Sequence, residues 1–227
     1  MVEQPSGTVT LVFTDIEGST RLLHELGEQA YREALAEHRR VVRDACGRHG
    51  GYEVDYEGDS FFYAFASAEN ALKAVDEAML ELASGPIRIR VGLHTGTPGL
   101  DPPKYVGLDV HLAARVMSVG YGGQVLLSRA TRELFGCDVL DLGEHRLKDF
   151  ADPVWLYQIG SEEFPPLRSL NNTNLPSPAS SFLGRESELE QADSMLVESR
   201  LVTISGTGGA GKTRFAIELG TAVAAAR

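Results

Sequence analysis

The sequence predicts an α+β fold, a mixed β-sheet with helices packed on one face, followed by a linker and the start of a second, α/β unit. Three observations support this prediction. Segments with strand periodicity alternate with segments of helical periodicity up to about residue 160. Residues 161–181 are rich in proline and asparagine and poor in apolar side chains, as linkers are. A glycine-rich loop then follows an apolar run, so we expect domains at 1–160 and 182–227.

The first predicted strand ends on an acidic residue. Residues 8–15 alternate, with Val12 on the face opposite the odd-numbered apolar residues. The apolar run stops at Asp15, and Gly18 then lets the backbone turn tightly. Ser19 can cap the helix that follows. The pattern therefore places a carboxylate at the end of a strand.

A long helix is predicted next. Apolar residues recur every three or four positions from Leu23 to Ala45, and Gly47 and Gly50 end the helix. His38 lies on this apolar stripe, which indicates a packed histidine rather than a ligand.

A second acidic residue is predicted at a hairpin tip. Residues 52–56 and 61–65 alternate as strands around a Glu-Gly pair, so Asp59 should lie at or just after the turn. Two carboxylates brought together in this way, Asp15 and Asp59, could share Mg²⁺ ions, which take their other ligands from water and phosphates. The alternative is that both aspartates only cap a helix or form a turn.

The rest of the first domain continues the alternation. Gly92, Gly96 and Gly99 indicate close backbone approach followed by a loop. The predicted elements are, in order, a helix capped by Ser67 and ending near Gly85, a strand over 87–93, a helix over 108–117, a strand over 124–127, a short helix over 128–135, and closing strands over 139–142, 144–147 and 154–159.

Composition limits the function classes. A chain of 227 residues with 43% apolar residues can bury one sizeable core and part of another. Its net charge of −11 argues against non-specific or direct nucleic-acid binding. Cys46 and Cys137 belong to no metal-binding motif, which indicates structural cysteines in a reducing compartment. Since no signal sequence or long apolar run is present, we expect a cytoplasmic protein without membrane contact.

Five motifs between Thr8 and Gly160 resemble, in order, those of the catalytic domain of class III nucleotidyl cyclases. They are FTDIEGST, YEGDSFF, VGLHTG, GLDVHLAARV and GEHRLKDF. The resemblance implies a ferredoxin-like mixed sheet and an adenylate cyclase that converts ATP to cyclic AMP and pyrophosphate. It also implies two Mg²⁺ or Mn²⁺ ions per site and a head-to-tail homodimer in which both subunits contribute to each site.

The resemblance also assigns site residues. Asp15, Asp59 and the backbone carbonyl of Ile16 match the metal positions. Arg115 and Lys148 match cations that bind the ribose and triphosphate, and His111 stands where the family has asparagine. A histidine can still donate a hydrogen bond, with a different reach and a pH-dependent charge. Without the resemblance, the sequence would indicate only that Arg115 and Lys148 are cations at the surface or at a helix end.

The positions that recognise the purine depart from the family. Asp55 stands where adenylate cyclases have lysine, and Lys104 stands where they have aspartate. Lys104 could donate to adenine N1, or the two side chains could simply pair with each other. Asp55 could also accept hydrogen bonds from guanine, so GTP stays open as a substrate. The alternative to an enzyme is a cyclase-like module that binds nucleotide or dimerises and controls an attached ATPase.

The C-terminal motif predicts a phosphate-binding P-loop, with an apolar strand over 201–204 before it and an alanine-rich helix after it. In this motif backbone amides bind phosphates, the lysine reaches the β- and γ-phosphates and the hydroxyl ligates Mg²⁺. Its residues are Gly206, Gly208, Gly209, Gly211, Lys212 and Thr213. Together with FLGRESEL it resembles the start of NB-ARC-like signalling ATPases, which bacterial transcriptional regulators join to cyclase domains. No second strand with a metal-binding aspartate follows the P-loop in this sequence, so we expect a truncated ATPase that does not hydrolyse ATP by itself.

Overall fold

The computed structural model describes residues 2–136, 138–170, 182, 184–199 and 201–226. These form two compact units. The first contains residues up to 144 together with 154–167, and the second contains 145–153 and the chain from 168 onward.

The first unit is built on a seven-stranded mixed sheet, as predicted. The strand order is β2-β3-β1-β4-β7-β9-β8, and β4 with β7 is a parallel pair, whereas β1 is antiparallel to both of its neighbours. The strands are β1 (Val9–Ile16), β2 (Tyr52–Glu57), β3 (Ser60–Phe65), β4 (Ile89–Gly96), β5 (Gly99–Asp101), β6 (Lys104–Val106), β7 (Val125–Ser128), β8 (Val139–His145) and β9 (Val154–Ile159). Strands β5 and β6 form a separate two-stranded hairpin.

Seven helices lie within the described ranges. They are α1 (Ser19–Leu26), α2 (Glu28–Arg48), α3 (Ala68–Leu82), α4 (Leu108–Ser118), α5 (Arg129–Arg132), α6 (Glu186–Glu198) and α7 (Lys212–Ala226). None of them is long and apolar enough to cross a membrane.

One face of the sheet is covered by α2 and α3. Val41 and Ala45 of α2 and Val75 of α3 are buried in one cluster with Val12 and Ile16 of β1. The alternation predicted for β1 is confirmed, because the odd-numbered residues face the other way. Burial of this apolar surface supplies most of the favourable free energy of the unit.

The opposite face is also covered, which corrects the expectation that helices pack on one face only. Ala113 of α4 is buried with Val9 and Leu11 of β1. Helix α4 runs so close to β4 that a Cβ at Gly92 would lie 2.3 Å from the backbone nitrogen of Met117. Only glycine permits this approach, and the pattern of β1, apolar on both faces, is what two-sided burial requires.

Several predicted boundaries were wrong for local reasons. The single long helix is two, because Gly27 adopts a φ of +77° between α1 and α2. Strand β8 continues through Gly143, whose amide donates to Asp141 Oδ1 at 2.8 Å, so the first two closing strands are one. Hairpin β5–β6 lies within the region predicted as a loop.

The first part of the predicted linker packs against the first unit. Phe164 stacks on Tyr121, and the Tyr121 hydroxyl donates to the carbonyl of Pro166 at 2.8 Å. Residues 161–167 of the predicted linker therefore belong to this unit. Residues 171–181 lie outside the described residues.

In the second unit, α6 and α7 pack through Ala192, Phe215 and Leu219. The strand predicted over 201–204 is not formed, and residues 201–207 have no regular secondary structure. A strand needs a ladder partner, and no described strand pairs with this segment.

Candidate active site

Asp15 lies near the end of β1 and is held by its neighbours. The register of β1 and β4 places it opposite Arg90. Arg90 Nη2 and Nε donate to Asp15 Oδ2 at 2.6 and 3.0 Å, and Ser60 Oγ donates to Oδ1 at 2.6 Å. The Asp15 and Arg90 side chains are only 15% and 22% exposed. The carboxylate is therefore fixed in one orientation before any ligand arrives.

Asp59 lies in the turn between β2 and β3, where it was predicted. Its Oδ2 atom is buried and has no hydrogen-bond partner within the described residues. The turn is held from outside, because the Gly58 carbonyl accepts from Arg39 Nη2 at 3.0 Å and from the Tyr56 hydroxyl at 2.6 Å. A buried, unpartnered carboxylate oxygen is costly unless a donor or a cation satisfies it.

The two carboxylates lie in the same neighbourhood. Ser60 follows Asp59 directly and donates to Asp15. The pKa of Tyr31 is raised, first by burial and then by the negative charge of Asp59, with a smaller contribution from Asp15. The structure thus brings the predicted pair of acidic residues together at one end of the sheet.

This pair fits a divalent cation. No cluster of three or more His, Cys, Asp and Glu side chains is found in the described residues. Mg²⁺ nevertheless needs only one or two protein carboxylates when water and substrate phosphates supply the rest. The backbone of Ile16, the third predicted ligand, follows Asp15 directly in β1.

Sequence reasoning missed Arg90. Its neighbours Ile89 and Val91 are buried in the core on the other face, so a charged residue between them had to project toward the α4 side. That alternation was visible in the sequence. Its pairing with Asp15 was not, because it depends on β1 and β4 being neighbours.

A cavity of about 280 Å³ lies next to this site. Asp55, Ser60, Lys104 and Tyr105 are among its lining residues. Phe13 and Phe62, which also line it, stack with ring centroids 4.2 Å apart. The cavity combines an apolar floor with three charged side chains, those of Asp55, Glu57 and Lys104, as ligand sites with a few polar groups on an apolar lining do.

Asp55 and Lys104, which both line this cavity, pair with each other. Lys104 Nζ donates to Asp55 Oδ2 at 2.5 Å, and the side chains are 58% and 50% exposed for Lys104 and Asp55. The hydrogen bond from Lys104 lowers the pKa of Asp55, and the same bond raises the pKa of Lys104. At neutral pH the cavity therefore presents an ionised acceptor beside a cationic donor.

Helix α4, which carries the predicted ribose and phosphate residues, is anchored to β4. Asp109 Oδ1 lies 3.1 Å from His94 Nε2, and Oδ2 accepts from the Thr97 amide at 2.8 Å. A Cβ at Gly96 would lie 2.4 Å from the Asp109 carboxylate. These contacts join the motifs VGLHTG and GLDVHLAARV.

His111 and Arg115 lie one helical turn apart on α4 and so share a helix face. His111 is exposed, and Arg115 is half-buried. Their spacing of four residues gives the shared face, and the contacts of Asp109 hold the helix that carries it.

Lys148 belongs to the second unit, where its Nζ lies 3.9 Å from Glu218 Oε1. The glycine-rich loop of the same unit has Gly209 and Gly211 at φ values of +79° and +73°. Lys212 Nζ donates to the carbonyls of Gly206 at 2.9 Å and Thr207 at 2.7 Å. The amine is thus bound by backbone carbonyls of its own loop.

The family model described as adenylate and guanylate cyclase catalytic domain matches residues 1–151. The chain therefore belongs to this family. The predicted cyclase fold is confirmed, and the resemblance that the five motifs carried is confirmed for the first domain.

Known relatives support the same conclusion. The chain is 38% identical over 201 residues to an uncharacterised protein of Mycobacterium tuberculosis, covering 82% of this chain and 70% of that protein. It is 33% identical over 210 residues to a receptor-type adenylate cyclase of Trypanosoma equiperdum. That match covers 67% of this chain but only 44% of the relative's length.

A solved structure shares the fold. Adenylate cyclase from Trypanosoma brucei in its monomeric state superposes with a TM-score of 0.66 at 30% identity, covering 72% of this chain and 95% of that structure. The fold and these relatives support nucleotidyl cyclase activity for the first unit.

Proposed function

We propose that the first unit converts ATP to cyclic AMP and pyrophosphate, with divalent cations held by Asp15, Asp59 and the Ile16 carbonyl. The observation that carries the proposal is the buried, unpartnered Asp59 Oδ2 beside the Asp15 carboxylate that Arg90 and Ser60 hold in place. A carboxylate oxygen left in this state needs a hydrogen-bond donor or a cation as its partner, and the neighbouring Asp15 carboxylate favours a cation.

In the reaction the ribose 3′ oxygen attacks the α-phosphorus, the bond from that phosphorus to the β-phosphate oxygen breaks, and the 3′ hydroxyl loses its proton. Bound Mg²⁺ or Mn²⁺ would lower the pKa of that hydroxyl and neutralise the triphosphate. Arg90 holds Asp15 in the orientation that receives the cation. Its guanidinium, partly buried beside the site, adds a fixed positive charge near the triphosphate.

A homodimer completes the proposed site. His111 and Arg115 share one face of α4, and the family pattern supplies these positions from the partner subunit. Arg115 would stabilise the charge that develops on the phosphoryl oxygens, and His111 would donate to the ribose. Lys148 would bind the triphosphate in the same way once its weak pairing with Glu218 is exchanged.

Asp55 and Lys104 set the base preference in this proposal. An ionised Asp55 can accept from the adenine amino group while Lys104 donates to N1, so the exchanged pair still matches the hydrogen-bonding edge of adenine. Guanine would require Asp55 to accept from N1–H and Lys104 to donate to O6. We propose ATP as the substrate on the strength of the adenylate cyclase relatives.

A second candidate function follows from the same pair. The Asp55–Lys104 ion pair lies in the lining of the cavity, and histidine replaces the family's asparagine at position 111. Both features suit a cyclase-like module that binds nucleotide weakly and acts by dimerising. In this second candidate the module belongs to a cytoplasmic regulator whose P-loop unit binds ATP. Lys212 would then leave the carbonyls of Gly206 and Thr207 to reach phosphates.

The test is cyclic nucleotide formation by the full chain with Mn²⁺ or Mg²⁺, offering ATP and GTP separately. Lys212→Ala would be present throughout so that the P-loop binds no nucleotide. Asp59→Asn is the blank, because this change removes the charge and breaks no hydrogen bond of Oδ2. Product above the blank supports the enzyme. No product from a folded dimer would favour the regulatory module.

A further inference from the structure

The β1–α1 turn, residues 17–18, directly follows the proposed metal ligands and is held by a neighbouring loop. The Glu17 amide donates to the carbonyl of Arg88 at 3.1 Å, and Glu17 Oε2 accepts from the Gly122 amide at 2.9 Å. A Cβ at Gly122 would lie 2.8 Å from Arg88 Cβ and 3.0 Å from Glu17 Cβ. Turn and loop are therefore in direct contact and cannot shift independently.

The same loop is held on its other side by the exit segment, which we define as residues 161–167. The rings of Tyr121 and Phe164 are nearly parallel, at 13°, with centroids 6.4 Å apart. The Tyr121 hydroxyl donates to the Pro166 carbonyl at 2.8 Å. A Cβ at Gly123 would lie 3.8 Å from the Phe164 ring. A chain of contacts thus runs from the exit segment through this loop to Glu17.

We propose that Tyr121 and Glu17 are positioning residues through which the exit segment controls the metal site. This inference rests on the proposed function. None of these residues is among the proposed ligands of metal or nucleotide. They fix the turn, and the turn fixes the Ile16 carbonyl relative to the two carboxylates.

The consequence is that movements of the chain after the cyclase unit can be transmitted through the exit segment to the proposed metal site. The exit segment is the last part of the chain assigned to this unit before residue 168. A rearrangement of the chain from residue 168 onward can draw Phe164 away from Tyr121. Loss of that support loosens the β1–α1 turn and weakens metal binding without touching the nucleotide.

The experiment compares Glu17→Ala, Glu17→Gln, Tyr121→Ala and Phe164→Ala in the full chain carrying Lys212→Ala. Glu163→Ala, an exposed change in the same segment, is the matched control. Two readouts need no turnover. They are amide hydrogen exchange over residues 13–20 and Mn²⁺ affinity measured by electron paramagnetic resonance with a non-cyclisable ATP analogue.

We expect exchange over 13–20 to accelerate, and Mn²⁺ affinity to fall, by about two- to tenfold in the three alanine variants, the range that results from losing one hydrogen bond or its support. Glu17→Gln should behave like the parent, because the amide oxygen still accepts from Gly122. In the cyclase assay the metal requirement should rise while kcat at saturating metal changes little.

Unchanged exchange and Mn²⁺ affinity in folded Tyr121→Ala and Phe164→Ala would overturn the inference. If Tyr121→Ala does not fold, Tyr121→Phe takes its place, because this change removes only the hydrogen bond to the Pro166 carbonyl. Parent-like amide exchange over residues 13–20 in Tyr121→Phe would then refute the inference. Failure of the proposed function is distinguishable. In that case the parent makes no product above Asp59→Asn, whereas the exchange difference among the variants persists.

Discussion

The two ends of the candidate site are built in opposite ways. At the metal end, Asp15 and Arg90 are mostly buried and joined by two hydrogen bonds between adjacent strands. At the base end, Asp55 and Lys104 are half exposed, and Lys104 lies on the short β5–β6 hairpin. Burial makes the metal end rigid and sensitive to change, whereas solvent screens the base end. In the proposed function, this difference would let the charges of the base end be exchanged at little cost while the carboxylates of the metal end are kept.

Asp59→Asn should have the largest effect and should separate function from stability. Loss of the cation ligand should lower turnover by about a thousandfold or more. Stability should stay the same or rise, because the change removes the charge and the buried Oδ2 atom has no hydrogen bond to lose in the described residues. Cyclic nucleotide assays and thermal unfolding check both results. A folded variant that retains activity would remove Asp59 from the metal site.

Arg90→Ala should be the next most damaging change. It takes two hydrogen bonds from the partly buried Asp15 carboxylate and leaves the one from Ser60, so we expect a loss of about 2 kcal/mol in unfolding free energy. Turnover should fall at least tenfold. Arg129→Ala, which breaks an exposed ion pair, is the control and should change stability by under about 0.5 kcal/mol. Equal effects of the two variants in urea titrations would contradict the contrast in burial.

His38 is a fully buried residue of α2 close enough to Asp15 for that charge to affect its pKa, so it tests how dry the interior beside the metal end is. Burial, aided by the charge of Arg39, lowers the pKa of His38 to about 4 from 6.5. Below about pH 6.5 the unfolded chain binds a proton on His38 and the folded chain does not, so protonation stabilises the unfolded state. The unfolding free energy is therefore unaffected by His38 above pH 6.5 and falls by about 3 kcal/mol as the pH drops toward 4. His38→Leu should flatten the stability profile over that range, and a profile parallel to the parent's would show that His38 is hydrated.

Substitutions of the Asp55–Lys104 pair should have the smallest effects on stability and activity. Asp55→Asn or Lys104→Met should change stability by less than about 0.5 kcal/mol, because both side chains are half exposed. The double variant Asp55→Lys with Lys104→Asp restores the family's arrangement. It should raise the preference for ATP over GTP by up to about tenfold, measured as the ratio of kcat/KM values. An unchanged ratio would show that the pair does not contact the base.

Local sequence signals predicted what depends on nearby residues. The strand ending at Asp15, the hairpin around Asp59 and helix α4 were visible because periodicity, glycine turns and caps act over a few residues. Gly27 was read as part of one helix because a single glycine within an apolar stripe can be tolerated there. The helix ended at that point because the glycine adopted a positive φ.

By itself, then, the sequence determined the cyclase motifs, the alternation of strands and helices, and the two acidic turns. Only the tertiary structure decided that Arg90 faces Asp15, that Asp109 anchors α4 through His94, and that Phe164 packs on Tyr121. These pairs are separated by 75, 15 and 43 residues. Their contacts depend on strand order and on which helix covers which face. Those choices are made by burial of the whole core and leave no signal in any short stretch of chain.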